Sequence, residues 1–311
     1  MLLDLAFDEP ANPWHPVAWL GNAAGRLERA GPARGRRLRL AYGAVLVALL
    51  GGGSAAAGYG LSRALAPWPL ASRLPFAAAI LKSTFSLRGL ATTAGRIGRQ
   101  LEDGALPEAR SELRALVSRP ADDLDASQAA SAAIESVAEN LSDSVLAPVL
   151  YYAALGLPGA LAYRAVNTLD AMIGYHGDYE ELGKCAARCD DLANLLPARS
   201  SALLLVAAAW LGFGDGRAAW GTMWRDHALT ESPNAGWPMS AAAGALRVRL
   251  EKRGHYRLGR CFPTPTPKDI DRAIRLYYAS AALGIGVAAN AVSLWEKAAR
   301  LVPSSFGRGS G

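Results

Sequence analysis

Three stretches of this sequence concentrate side chains able to hold a metal ion, an anion or both. The first starts at Ser127 and reads SQAASAAIESVAENLSDSVLAP. Its Glu135, Glu139 and Asp143 recur at i, i+4 and i+8, so a helix carries them on one face. Like charges in that register repel, and no basic residue lies between Arg119 and Arg164 to offset them. A bound Mg2+ would turn that repulsion into ligation, since hard oxygen donors suit the ion; a solvated acidic face is the alternative. Asn140 and Ser142 add neutral oxygens beside the carboxylates.

The second stretch is YRAVNTLDAMIGYHGDYEELGKCAARCDDLANLLPAR, from Tyr163 to Arg199. It offers Arg164, Asn167 and Asp170 at i, i+3 and i+6, then Lys184, Arg188, Asp190, Asp191, Asn194 and Arg199. Arginine forks recognise phosphate while paired carboxylates hold a cation, so this mixture fits a phosphate ligand with its metal. A network of surface ion pairs is the plainer reading. The third stretch centres on Ser232-Pro-Asn234-Ala-Gly. It is a turn by composition, whose backbone N–H groups could lead into a helix near Pro238 and bind an anion; a simple loop-to-helix connection serves as well. Other patterns fail. Gly177 to Lys184 gives G-x5-G-K, one residue too long for a phosphate-binding loop and without its Ser/Thr. The histidines at 15, 176, 227 and 255 are scattered. Cys185 and Cys189 stand at i, i+4 and could join Asp190 on a metal, but small packing residues are the simpler reading.

The elements that must carry these blocks are helices in a membrane. Of the 311 residues 51% are apolar and 19% charged, below the ~25% charge usual for soluble domains. That composition excludes disorder, collagen and a soluble coiled coil, and three cysteines cannot form a disulfide scaffold. The net charge of +6 is Arg-rich and flanks apolar segments, which favours a membrane over nucleic acid. Uncharged runs cover 40–62, 144–163, 200–214 and 276–295. A crossing needs ~20 apolar residues, so 40–62 and 276–295 read as spans. The run 144–163 contains Pro148 and Gly156-Leu157-Pro158-Gly159, and 200–214 is short, so at least one of these is expected to be re-entrant or broken. The run 64–81, with Arg73 and three prolines, is a weak candidate.

The expected fold is therefore all-α, a single polytopic membrane domain over 1–311 with three to five spans. Residues 87–117 are expected to form amphipathic or plainly solvated helices. The arginines at 26, 29, 34, 36, 37 and 39 place their end of the first span in the cytoplasm. Asp4, Asp8 and Glu9 interrupt the start, so no cleavable signal peptide is expected, and the Gly/Ser-rich tail at 304–311 is expected to be disordered.

Taken together, the blocks resemble one family. Asp8–Val17 carries D-x-P-x4-HPV, and Ala130–His176 reads ASAAIESVAENLSDSVLAPVLYYAALGLPGALAYRAVNTLDAMIGYH. With DDLANLLPAR at 190–199 and SPNAGWPMSAAAGAL at 232–246, these strings are similar to the adenosylcobinamide-phosphate synthase family of cobalamin biosynthesis membrane proteins, in order along nearly the whole chain. The resemblance implies an ATP-dependent, amide-forming ligase of the cell (inner) membrane. It would join adenosylcobyric acid to aminopropanol or its phosphate, with Mg2+ as cofactor. Implied partners are the corrinoid, aminopropanol phosphate, ATP and the lipid bilayer, but no nucleic acid. Other late enzymes of cobalamin synthesis and further copies of the chain are left open as partners. For that chemistry Glu135, Glu139, Asp143 and His15 are the candidate catalytic residues. Glu139, Asp143, Asp190, Asp191, Asn140 and Asp170 are candidate metal ligands. Arg164, Lys184, Arg188, Arg199, Asn167, Asn194, Ser232 and Asn234 are candidate phosphate or substrate contacts.

The chain departs from the family pattern in places. Only seven residues precede Asp8, so a shortened opening helix is expected, and Leu182 and Cys189 stand where Phe and Leu are usual. Two alternatives compete with the ligase: a regulator of the related β-lactamase-induction branch, and a transporter. The strings at 190–194 and 232–236 favour the enzyme branch, and charge collected between the spans rather than within them argues against a transporter. One difficulty is topological. If 144–163 crossed the membrane, the two acidic blocks would lie on opposite sides, so a re-entrant hairpin is expected there.

Overall fold

The computed structural model describes Asp4 and residues 15–117 and 120–301, so residues 8–14 of the opening motif and the tail at 304–311 lie outside it. Five helices lead to the first acidic block: α1 (Pro16–Arg29), α2 (Arg36–Leu65), α3 (Leu70–Lys82), α4 (Arg88–Glu102) and α5 (Leu106–Leu113). Then come α6 (Ala126–Leu141), a π-helical turn at Ser142–Leu146, and α7 (Ala147–Ile173). After α8 (Lys184–Ala193) and α9 (Leu195–Ala208), a second π-helical turn covers Ala209–Phe213. The chain continues through α10 (Gly216–Asp226), α11 (Gly236–Leu246), β1 (Leu250–Lys252), β2 (Tyr256–Leu258) and α12 (Pro267–Leu301). The fold is all-helical apart from this hairpin, whose three-residue strands are too short to show alternation in the sequence.

Among the described residues four helical stretches are long and apolar enough to cross a membrane: Arg36–Leu65, Ala126–Ile173, Leu195–Phe213 and Pro267–Leu294. Helix α3 is not among them. Its 13 residues, with Pro75 inside, reach only about 20 Å. Helix α6 is the core. A capping box starts it, with Gln128 N–H donating to Asp125 Oδ1 at 2.9 Å and Asp125 N–H to Gln128 Oε1 at 3.0 Å. Residues 129–138 are all buried, and the small Ala129, Ala130, Ala132 and Ala133 let α4, α11 and α12 pack closely around it. Asp4 is buried too. Its carboxylate pairs with Lys82 at 2.8 Å and accepts the Leu87 and Arg88 N–H groups at the start of α4, a helix-end interaction that favours a negative charge.

The stretch Ala126–Ile173 does not run straight through. Gly156 has φ 67° and ψ −156°, a backbone region open essentially to glycine alone. There the chain folds back on itself. Tyr151 and Tyr163, twelve positions apart, stack at 5.1 Å between ring centroids, and Tyr163 Oη donates to the Asp143 carbonyl at 3.2 Å. In an unbroken helix twelve positions span about 18 Å. The helical segments on either side of Gly156 therefore form the two arms of a hairpin. Helix α2 supports this hairpin along its length. A Cβ at Gly58 would lie 2.7 Å from Pro158 N, so the helix touches the hairpin tip backbone to backbone.

Two substitutions test the tip. Gly156→Ala is expected to cost about 1–3 kcal/mol of backbone strain, and Gly58→Leu about 1–3 kcal/mol of overpacking. Both are read as a lowered melting temperature in detergent, whereas Gly53→Leu, with open space at its Cβ, leaves it unchanged.

Candidate active site

The hairpin brings the acidic blocks to one place. A cleft of about 510 Å3 is lined by Glu139, Ser142 and Asp143 from the first block and by Asp170, Lys184, Arg188, Asp190, Asp191 and Asn194 from the second. Ser232, Pro233, Asn234, Ala235 and Pro238 close it from the third. Its volume falls in the ordinary range for small-molecule sites, about 300–1,000 Å3. Helix α8 turns Lys184, Ala187, Arg188 and Asp191 into the cleft, an i, i+3, i+4, i+7 face. Asp143 and Asp170 sit 13 and 14 positions either side of Gly156, so folding the hairpin shut returns them to the same level.

A hydrogen-bonded net fixes the floor. Asp190 accepts from Asn167 Nδ2 at 3.2 Å and from Asn194 Nδ2 at 2.9 Å. Tyr163 Oη donates to Asn194 Oδ1 at 2.9 Å, and Arg164 Nη1 to Asn167 Oδ1 at 3.1 Å. Asn234 Nδ2 donates to the Asp191 carbonyl at 2.8 Å, tying the third block to the second. Burial pushes the Asp190 carboxyl above the ordinary carboxylate range, with Asp191 adding to the rise against the two asparagine hydrogen bonds. Burial raises Asp191 as well, opposed by Arg188. Seven carboxylates line the cleft with Lys184 and Arg188; Glu180 and Glu231 pair with His176 and His255, which leaves Glu139, Asp143, Asp170, Asp190 and Asp191 against the two cations. That imbalance favours a cationic occupant.

The remaining residues singled out from the sequence lie elsewhere. Glu135 does not share a face with Asp143. Each four-residue step on an α-helix advances about 40°, and Glu135 is already engaged by Ser131 Oγ at 2.6 Å and Tyr256 Oη at 2.8 Å. Asn140 turns back on its own helix, donating to the Ser136 carbonyl at 3.0 Å and accepting from Ser144 Oγ at 2.7 Å. His15 caps α1, its Nδ1 accepting from Val17 N–H at 3.2 Å, away from the cleft. Arg164 and Asn167 stand behind Asp190 rather than in the cleft wall. Arg199 lies over the Trp237 ring at 5.0 Å and donates to Asn234 Oδ1 at 3.4 Å, bracing the third block from outside. In that block the N–H groups of Asn234 and Ala235 are taken by Ser232 Oγ at 3.2 and 3.3 Å instead of being open to an anion. Two lining carboxylates, Glu180 and Glu231, were not among the residues singled out from the sequence, although Glu180 belongs to the charge-dense second block.

Among the described residues no three His, Cys, Asp or Glu side chains close into a metal cage, Cys185 and Cys189 included. The donor set nonetheless fits Mg2+, which ordinarily takes one or two carboxylates and completes its octahedron with waters and substrate phosphates. Asp143, Asp170, Asp190 and Asp191 are the side chains placed to hold it.

The fold and site define a helical membrane protein whose polar cleft opens beside a helical hairpin. Comparison with known proteins narrows this further: the CobD/Cbib protein family matches residues 1–277, and the chain belongs to it. The cobalamin biosynthesis protein CobD of Dehalococcoides mccartyi is 44% identical over 259 residues, 83% of this chain and 84% of that one. The protein of the same name from Geobacter metallireducens is 41% identical over 272 residues, 86% and 84% of the two chains. That of Klebsiella pneumoniae is 35% identical over 302 residues, 92% and 93%. No solved structure matches the chain.

A raised carboxyl in the fold means that protonation favours the folded state. Its contribution is complete at low pH and is lost as pH rises through the raised value. A divalent cation offsets that loss. Mg2+ is therefore expected to raise the melting temperature at neutral pH, by an amount that shrinks as pH falls into the ordinary carboxylate range. Asp190→Asn is expected to remove most of the Mg2+ response; thermal unfolding in detergent across pH, with and without the ion, measures both.

Proposed function

We propose that this protein is an enzyme of cobalamin biosynthesis that joins adenosylcobyric acid to aminopropanol, or its phosphate, at the expense of ATP. Family membership and relatives named for cobalamin biosynthesis along most of the chain support the role in that biosynthesis. One observation carries the finer reading: both acidic blocks and the Lys184–Arg188 pair line a single cleft. A carboxylate is a poor acyl donor, so one of its oxygens must first attack a phosphorus of ATP, expelling ADP from the γ-phosphorus or pyrophosphate from the α-phosphorus. The amine nitrogen then attacks the activated carbonyl carbon, the phosphate or AMP leaves, and a proton passes from the amine to a carboxylate of the cleft.

Lys184 and Arg188 hold the phosphate oxygens and offset the negative charge that grows during transfer. Asp143, Asp170, Asp190 and Asp191 would hold Mg2+, which would supply further neutralisation of phosphate charge, and Asn167 and Asn194 keep Asp190 in place. The cleft is open at its 174–180 and 231–235 rims, so only the propionate arm of the corrinoid has to enter. We place the cleft in the cytoplasm, where ATP is. Arg36 pairs with Glu181 at 2.7 Å and Arg39 donates to the Asp178 carbonyl, so the arginine-rich end of α2 lies beside the cleft rim. The excess of positive charge on cytoplasmic flanks then orients both in the inner membrane.

The test is turnover. Detergent-solubilised protein with Mg2+-ATP, adenosylcobyric acid and aminopropanol phosphate is expected to add the mass of the amine phosphate, less water, to the corrinoid, with ADP or AMP released in step. Asp143→Ala and Arg188→Ala are each expected to lower kcat by about 100-fold or more while the protein stays folded. Binding of the corrinoid without any ATP-dependent mass gain would sink the ligase reading and favour a binding or regulatory role.

A further inference from the structure

Beside the main cleft lies a second cavity of about 120 Å3, lined by Leu116, Val117, Ala132, Glu135, Ser136, Glu139, Lys252 and Tyr256. Glu139 lines both cavities. The opposite wall is the β1–β2 hairpin. Its register pairs Lys252 with Tyr256, and directly paired residues project from the same face, here the one turned to α6. Three hydrogen bonds hold the hairpin there: Glu251 N–H to Ser131 Oγ at 2.9 Å, Tyr256 Oη to Glu135 at 2.8 Å, and Gly259 N–H to Asp226 Oδ2 at 2.7 Å. Glu251 and Arg257 pair at 2.7 Å on the other face, so of the strand charges only Lys252 enters the cavity.

The chemistry of this lining is bipolar. Glu135 is committed to Ser131 and Tyr256, but among the described residues neither Glu139 nor Lys252 engages a hydrogen bond or ion pair. A carboxylate and an ammonium lining one cavity match a small zwitterion, one carrying a protonated amine and, a few bonds away, an anion. The cavity is small beside the main cleft of about 510 Å3 and suits a chain of a few heavy atoms.

We propose that this cavity is the subsite for the small amine: its ammonium lies against Glu139, facing the main cleft, and its anionic end lies against Lys252. The identity of that amine as the phosphorylated amino alcohol rests on the ligase reading; the zwitterion chemistry of the cavity does not. Lys252 is thus a specificity residue for the phosphorylated over the unphosphorylated amine. Tyr256 and Glu135 position the cavity wall, and Glu139 presents the amine nitrogen to the carbon activated in the cleft.

Calorimetric titration of the full chain in detergent separates the two ideas, because it needs no turnover. Aminopropanol phosphate, aminopropanol and inorganic phosphate are the probes, against wild type, Lys252→Met and Lys252→Arg. Loss of one charge-assisted contact predicts a Kd for aminopropanol phosphate about 10- to 100-fold higher in Lys252→Met. Lys252→Arg should recover part of that loss, and aminopropanol should bind both variants as it binds wild type. Equal weakening of both amines would assign Lys252 a merely structural role and overturn the proposal, as would an unchanged Kd for aminopropanol phosphate. Lys252-dependent binding without amide formation would retain the subsite and remove the ligase, whereas amide formation with an unchanged KM for the amine in Lys252→Met would do the reverse.

Discussion

The chain reversal at Gly156 is the constraint on which the site depends. Asp143 and Asp170 belong to segments that a straight helix would hold about 40 Å apart, yet they line one cleft. No pairwise attraction between carboxylates could bring that about. The reversal comes from a backbone conformation that glycine tolerates, the stacked tyrosines 151 and 163, and the flank of α2 against the tip. Packing energy gathered far from the cleft thus offsets the repulsion inside it.

That division explains why the cleft can be so acidic. Isolated carboxylates in partly apolar surroundings are costly unless hydrogen-bonded or neutralised. Asp190 receives two asparagine amides, and Asp191 lies within the influence of Arg188. Asparagines suit the floor because they donate without adding charge. The excess of carboxylates is left for a cationic occupant to balance, beside the two cations Lys184 and Arg188.

Much of this could be read from the sequence, for identifiable reasons. The uncharged runs at 40–62 and 276–295 appear inside long helices because length and apolarity are local properties. The break at 156–159 was legible because Gly-Leu-Pro-Gly has few regular conformations. Side-chain direction was not. Glu135 and Asp143 looked equivalent at helical spacing, but the small angular advance per turn and the phenol of Tyr256 sent Glu135 to a different cavity. Arg164 and Arg199 were read as phosphate contacts from their type, whereas the folded chain uses them to brace asparagines. Lys252 escaped notice entirely, since strands of three residues leave no periodicity and its neighbours on α6 are over a hundred positions away.

The contact between Gly58 and the hairpin tip also bears on how the protein is built at the ribosome. Helix α2 precedes the hairpin by about a hundred residues and is long enough to enter the bilayer by itself. The surface that supports the hairpin is thus synthesised before the hairpin itself, and a circularly permuted version that delivered α2 last would have to fold the reversal without it.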